Sequence, residues 1–268
     1  MTFQLRSPLY DQETIELPQL MSKLSSPFNG TVCSKKGDEY TIKNNIADLL
    51  TEKKSYTLAQ STNHWNITAS LYEDLWRVRS LSLLTGEPFP IEKEKELLAG
   101  WVQPKPGKTY LDVGCSTALY ARFLKKIEPD SHLVAVDFSL AMLEEARLKG
   151  EADQTDLYLI RADAREMPFF GKTFDGVVMG GTLNELSDEL KVLFECRRVL
   201  KDDGTFFIMH LIQSKSWYGK VLQNSAEWSG IKFWTVEQSN EQFKRAGFMA
   251  EEQIVKGIVC FTKLKPIK

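Results

Sequence analysis

Three carboxylates stand where apolar runs give way to turns: Asp112, Asp137 and Asp163. Asp112 lies two residues before Gly114 in the stretch TYLDVGCSTALYARF, residues 109–123. There an apolar run meets the small residues Gly114-Cys115-Ser116-Thr117-Ala118, and a helical pattern begins at Leu119 and Tyr120. Small side chains in such a turn let a ligand come close to the backbone. The dinucleotide fingerprint is absent, because Ser116 and Leu119 occupy its second and third glycine positions. No Gly-Lys-Ser/Thr follows, which excludes a P-loop. A carboxylate at 112 repels a pyrophosphate and suits a cation such as an ammonium or a sulfonium. Asp137 can accept both hydroxyls of a ribose diol, and Asp163, within Ala162-Asp163-Ala164, an exocyclic amine such as adenine's. One acid at a strand end is ordinarily a cap or a turn. Three behind successive strands form a set.

The elements that must position this set follow from periodicity. From Lys108 the pattern alternates strand and helix, which predicts a parallel sheet with helices on both faces. Strands are expected at 109–113, 133–136, 157–160, 174–179, 205–209, 249–255 and 258–264. Helices are expected at 118–127, 140–149, 188–200 and 237–246, with Ser139 capping the second and Gly150 just past its end. Lys201–Gly204 reads as a turn, and residues 211–236 as the least regular part. In an open sheet of this kind ligands bind beyond the carboxyl ends of the strands. Gly180-Gly181-Thr182-Leu183-Asn184-Glu185 follows the fourth strand, and His210 ends the fifth.

Upstream, residues 1–55 read as a small β-rich appendage, with Thr31–Cys33 and Tyr40–Ile42 flanking a Lys36-Gly37-Asp38 turn. Residues 56–104 read as a helical lid or linker, with Leu71, Leu75 and Val78 in helical phase beside Trp65, Tyr72 and Trp76. A second helix over 91–101 carries Glu92–Glu96, read as a solvated face. Residues 105–268 form the third unit. The 268 residues are 43% apolar and 26% charged, and 34 Lys and Arg against 36 Asp and Glu leave a net charge of −2. That balance gives no footprint for nucleic acid and no polybasic anchor. Cys33, Cys115, Cys196 and Cys260 form no CxxC pair, which favours a reducing compartment. No apolar run reaches membrane-span length and the start has no signal design, so the cytoplasm is the expected location.

Taken together these motifs resemble the class I S-adenosylmethionine-dependent methyltransferases, closest to the ubiquinone/menaquinone-biosynthesis (methyltransferase type 11) group. The segments that carry the resemblance are Asp112–Ala118, Val136–Ser139 with Met142, Arg161–Ala164 with Met167-Pro168-Phe169, Phe174–Leu186, and Glu195–Lys201 with Gly204. It implies a Rossmann-like seven-stranded sheet in the order 3-2-1-4-5-7-6, with the last strand antiparallel. It also implies S-adenosylmethionine as cofactor, held by Asp112, Gly114, Cys115, Ser116, Asp137, Phe138, Met142, Asp163, Ala164 and Gly180. Tyr72 and Arg77 would close over it from the N-terminal helix, Arg77 pairing with the methionine carboxylate. The family usually has glycine where Ser116 and Ala118 stand, and each added Cβ restricts positive φ. The appendage resembles the zinc-ribbon segment preceding some rRNA methyltransferases, ending in a similar Ile-Ala-Asp-Leu-Leu at 46–50. Ser26 and Asn29 replace its cysteine pair, so no metal is expected.

The implied reaction is in-line methyl transfer to a small, apolar or aromatic acceptor. Protein groups then supply proximity, alignment and exclusion of water. Any base comes from His210 or Glu185; the alternatives are a structural histidine and a helix cap. Trp217, Tyr218, Trp228 and Trp234 either line an acceptor pocket or pack an irregular segment. Two other functions compete: an RNA methyltransferase, suggested by the zinc-ribbon-like start, and a non-catalytic relative that binds cofactor or partner.

Overall fold

The computed structural model describes residues 3–8, 13–50, 82, 84–85, 89–227 and 230–268, without the side chains of Tyr218, Leu222 and 225–227. Its first strands are β1 (Phe3–Arg6), β2 (Thr14–Leu17), β3 (Gly30–Cys33), β4 (Glu39–Lys43) and β5 (Ile46–Asp48). Helix α1 (Ile91–Val102) leads into an alternating core. That core runs β6 (Thr109–Val113), α2 (Leu119–Ile127), β7 (His132–Asp137), α3 (Leu140–Ala152), β8 (Tyr158–Arg161) and β9 (Phe174–Gly180). It continues through α4 (Glu189–Val199), β10 (Leu200–Leu211), α5 (Trp217–Glu227), α6 (Val236–Arg245), β11 (Phe248–Lys256) and β12 (Val259–Pro266).

Among the described residues one sheet has ten strands, in the order β11-β12-β10-β9-β6-β7-β8-β5-β4-β3, and β1-β2 form a separate hairpin. The expected seven strands are therefore too few. Their order is retained as the contiguous run β8 to β11, with β12 antiparallel to both β10 and β11. The three additional strands come from the N-terminal segment. β5 pairs parallel to β8, Ile46 opposite Leu159 and Asp48 opposite Arg161, and β4 and β3 follow antiparallel. The zinc-ribbon resemblance finds no support. Among the described residues no group of three His, Cys, Asp or Glu could hold a metal. Asn29 instead accepts from the Asn44 amide at 2.9 Å, and the Ser26 carbonyl from Asn45 at 3.1 Å.

Strands β6 to β8 are almost wholly buried, as a parallel sheet covered on both faces requires. Period-two alternation sends Leu111, Val113, Val134 and Val136 to one face and Tyr110, Leu133 and Ala135 to the other. Leu98 of α1, Tyr120 of α2 and Leu143 of α3 cover the second face. The first is covered by Leu193 of α4, Phe243 of α6 and the β1–β2 hairpin. No helix forms between β8 and β9, and the hairpin takes that place. Phe3 stacks on Tyr158 at 5.3 Å, and the Arg6 amide donates to the Pro168 carbonyl at 3.0 Å.

Three local expectations change. Lys201–Gly204 is not a free turn: it bulges out of the β9–β10 ladder, between Leu200 opposite Phe174 and Thr205 opposite Gly176. Residues 211–236 contain helix α5 and a bridge between Ile212 and Trp234. Glu94, expected on a wet face, is fully buried and accepts from the Tyr120 hydroxyl, so one charge of the 92–96 run faces inward.

Candidate functional site

The parallel register decides what meets at the carboxyl edge of the sheet. Asp112 pairs across from Ala135, and Asp137 from Arg161, so the acids ending β6 and β7 and the turn after β8 emerge side by side. A cavity opens there. Every one of the ten described residues expected to hold a cofactor lines it: Asp112, Gly114, Cys115, Ser116, Asp137, Phe138, Met142, Asp163, Ala164 and Gly180. Glu185 lines it as well. Tyr72, Arg77, Trp65, Trp76 and Trp228 lie outside the described residues.

The turn after β6 is held by backbone conformations that favour glycine. Gly114 has φ +62°, Ser116 +50° and Ala118 +56°. Ser116 and Ala118 thus occupy left-handed conformations at a steric cost that glycine avoids. At Gly114 an added Cβ would also stand 2.3 Å from Thr182 Cγ2 and 2.5 Å from its Oγ1, so Thr182 would have to shift. Thr182 Oγ1 donates to the Gly114 carbonyl at 2.9 Å, which locks the turn after β9 onto the turn after β6.

The acids are also the braces of their own turns. Ala118 is the N-cap of α2 and has no side-chain oxygen, so Asp112 accepts instead from the Ala121 amide at 3.0 Å. Asp137 accepts from the Ser116 amide at 2.8 Å through one oxygen and from the Ser139 amide at 2.9 Å through the other. Ser139 caps α3 as expected, accepting from the Met142 amide. Asp163 departs from expectation: Arg165 engages both its oxygens, at 2.8 to 3.1 Å, and also reaches Ser187. Burial, with Asp137 and Asp112 adding, pushes the Cys115 thiol well above the ordinary range, which disfavours the thiolate.

His210 is not brought to the cavity. It sits fully buried in β10, its ring edge-on to Phe243 of α6 at 5.5 Å. Neither ring nitrogen has a partner among the described residues, and burial lowers its pKa to about 4. Trp217 is 78% exposed and Trp234 packs in the core, so neither lines the cavity. Asn184 is a clamp. Its amide donates to the carbonyls of Leu211 and Lys232, at 2.8 and 2.6 Å, and its oxygen accepts from the Leu211 amide at 2.7 Å. That closes the base of the 212–231 excursion one residue from Glu185.

Leu50, Tyr120, Arg165, Gly181 and Thr182 also line the cavity and were not singled out in the sequence. Thr182 and Gly181 were legible as parts of the glycine turn. Leu50 was not, because nothing local announces that β5 lies beside β8.

This arrangement agrees with what the chain is similar to. Residues 111–208 match the methyltransferase domain family. The demethylmenaquinone methyltransferase of Thermotoga maritima is 36% identical over 115 residues, 41% of this chain and 48% of that protein. The 2-phytyl-1,4-naphtoquinone methyltransferase of Trichormus variabilis is 32% identical over 118 residues, 43% of this chain and 52% of that protein. The chain thus spans about half the length of the curated relatives it matches. Among solved structures, an S-adenosylmethionine-dependent methyltransferase from Aquifex aeolicus superposes with a TM-score of 0.54 at 22% identity, over 72% of this chain and 97% of that one. The likeness in structure is one of fold.

Proposed function

We infer that this chain is an S-adenosylmethionine-dependent methyltransferase acting on a small apolar ring compound of the quinone class. The observation that carries the reading is the single cavity in which Asp112, Asp137 and Asp163 converge around the Gly114 turn. Its fit to the cofactor rests on that close, left-handed turn, where Gly114 leaves no room for a Cβ, and on carboxylates lining the cavity at the ends of successive strands. Asp137 would hold the ribose diol, the Asp163 turn the adenine, and Asp112 with Ser116 the methionine end. When bound, the cofactor supplies an electrophilic methyl on a sulfonium.

The chain's own residues then have three tasks. The turns after β6 and β9 align donor and acceptor at contact distance. Leu50, Leu119 and Leu186 at the cavity wall exclude water. Glu185, which lines the cavity on the β9 side, would take a proton from the acceptor. His210 has no such access and is structural in this scheme. The quinone class is inferred from the names of the relatives and from the chain's lack of basic excess. No helix among the described residues is long and apolar enough to cross a membrane.

Calorimetric titration with S-adenosylmethionine tests the cofactor, and transfer of labelled methyl to a demethylated naphthoquinol tests the acceptor. Asp137→Ala should weaken cofactor binding by tenfold or more, about 1.4 kcal/mol, because it removes the diol acceptor and both turn braces. Unaltered binding in that variant, or a wild type that ignores the cofactor, would refute the assignment.

A further inference from the structure

We propose that the N-terminal strand β5, with Leu50 beyond it, is a working part of the cofactor site: Leu50 forms its nucleoside-end wall, and the Asp48–Arg161 pair positions Phe138. This rests on the cofactor reading above and extends it to a segment that lies outside the matched domain, residues 111–208.

The observation begins with register. β5 runs parallel to β8, Asp48 opposite Arg161, and the Leu49 amide donates to the Arg161 carbonyl at 2.9 Å. That bond extends the ladder past the end of β5 and delivers Leu50 beside Ala162 and Asp163. All three line the cavity. The Arg161 side chain does the rest. Its Nη1 donates to Asp48 Oδ2 at 2.8 Å, and its Nε donates to the Phe138 carbonyl at 3.0 Å. Phe138 directly follows Asp137, and both line the cavity. Asp48 Oδ1 meanwhile accepts from the Leu50 amide at 3.2 Å. One guanidinium therefore ties the strand that carries Leu50 to the turn that carries Phe138.

Geometry explains why arginine serves here. A planar fork can satisfy a carboxylate and a carbonyl at once, whereas an ammonium cannot hold both in fixed directions. The pair is partly solvent-exposed, with side-chain exposures of 24% for Arg161 and 36% for Asp48. Pairs of that exposure contribute little to global stability. The role left for this one is placement, and its loss should leave the chain folded.

The test uses the full chain with S-adenosylhomocysteine and adenosine as probes, read by calorimetry, with a thermal melt of each variant. Arg161→Met should weaken both ligands by a similar factor, about five- to tenfold, because the link bears on the nucleoside that both share. Asp48→Asn should weaken them by about two- to fivefold. The double variant should be no worse than Arg161→Met alone, since both changes cut one link. Arg161→Lys should recover part of the affinity. Wild-type affinity in Arg161→Met, or a lowered melting temperature without a change in affinity, would overturn the proposal and leave the cofactor reading intact. A wild type that binds neither probe would overturn both.

Discussion

Replacing Gly114 by alanine tests whether the turn after β6 is held by the two constraints assigned to it. The first is backbone conformation: φ is +62°, and a residue with a Cβ pays about 1–2 kcal/mol there. The second is contact: the new Cβ would lie 2.3, 2.5 and 2.8 Å from Thr182 Cγ2, Oγ1 and Cβ. Thr182 must move, which adds about 1–3 kcal/mol of overpacking. Alanine returns about 0.4–1 kcal/mol by restricting the unfolded chain. The balance is a loss of about 1–5 kcal/mol, centred near 3, which lowers the melting temperature by roughly 6–12 °C at that centre for a chain of this size. Displacing Thr182 also breaks its bond to the Gly114 carbonyl, so cofactor affinity should fall more than stability alone would explain. The companion variant is Thr182→Gly, which removes all three clashing atoms. In a double-mutant cycle it should recover the contact share, about 1–3 kcal/mol, and leave the conformational share in place. A Gly114→Ala protein melting within about 2 °C of wild type, or a cycle with no coupling, would show that the turn is not built as described.

Two further outcomes follow from single residues. His210 has a folded pKa of about 4 against an ordinary 6.5, so the folded state disfavours its protonated form. The stability it contributes is complete above pH about 6.5 and is lost as pH falls toward 4, up to about 3 kcal/mol. His210→Leu should flatten that part of the stability profile in denaturant titrations between those pH values, and an unchanged slope would contradict the assignment. Ser116→Gly should relieve a left-handed conformation at about 1–2 kcal/mol while loosening the unfolded chain by about 0.4–1 kcal/mol. It should therefore raise the melting temperature slightly and leave or improve cofactor affinity; a lower melting temperature would mean that the Ser116 hydroxyl, 3.3 Å from Met142 Sδ, holds the turn.

The carboxyl-edge acids were legible because their signal is local. Each ends an apolar run, so strand period and acid position are read together. The same holds for Ser139, whose cap precedes a helical pattern. What escaped depends on long-range pairing. The hairpin at 31–42 was recognisable, but nothing in its sequence says that β5 will continue the sheet beside β8. Glu94 escaped for a related reason. Charge runs usually face water, and only the docking of α1 on α2, with the Tyr120 hydroxyl placed to donate, makes its burial tolerable. His210 misled in the opposite direction. Its place at a strand end suggested access to the site, but alternation along β10 turns it to the face covered by α6.

The cavity's charge balance bears on how donor and product are told apart. Its described lining holds four carboxylates, Asp112, Asp137, Asp163 and Glu185, against one guanidinium, Arg165. Arg165 engages Asp163, and the other three carboxylates stand at the turns after β6, β7 and β9. Asp112 is only 2% exposed, and charges screened by little water act strongly on a neighbour. For the transfer proposed here, the donor enters as a cation and leaves as a neutral thioether of nearly the same shape. A carboxylate on the methionine side, as Asp112 would be, favours the cation over the neutral thioether. The brace at Asp112 is what permits this. Its bond to the Ala121 amide and the positive end of α2 offset the cost of burying the carboxylate, so the strand residue that braces the start of α2 also faces the cavity.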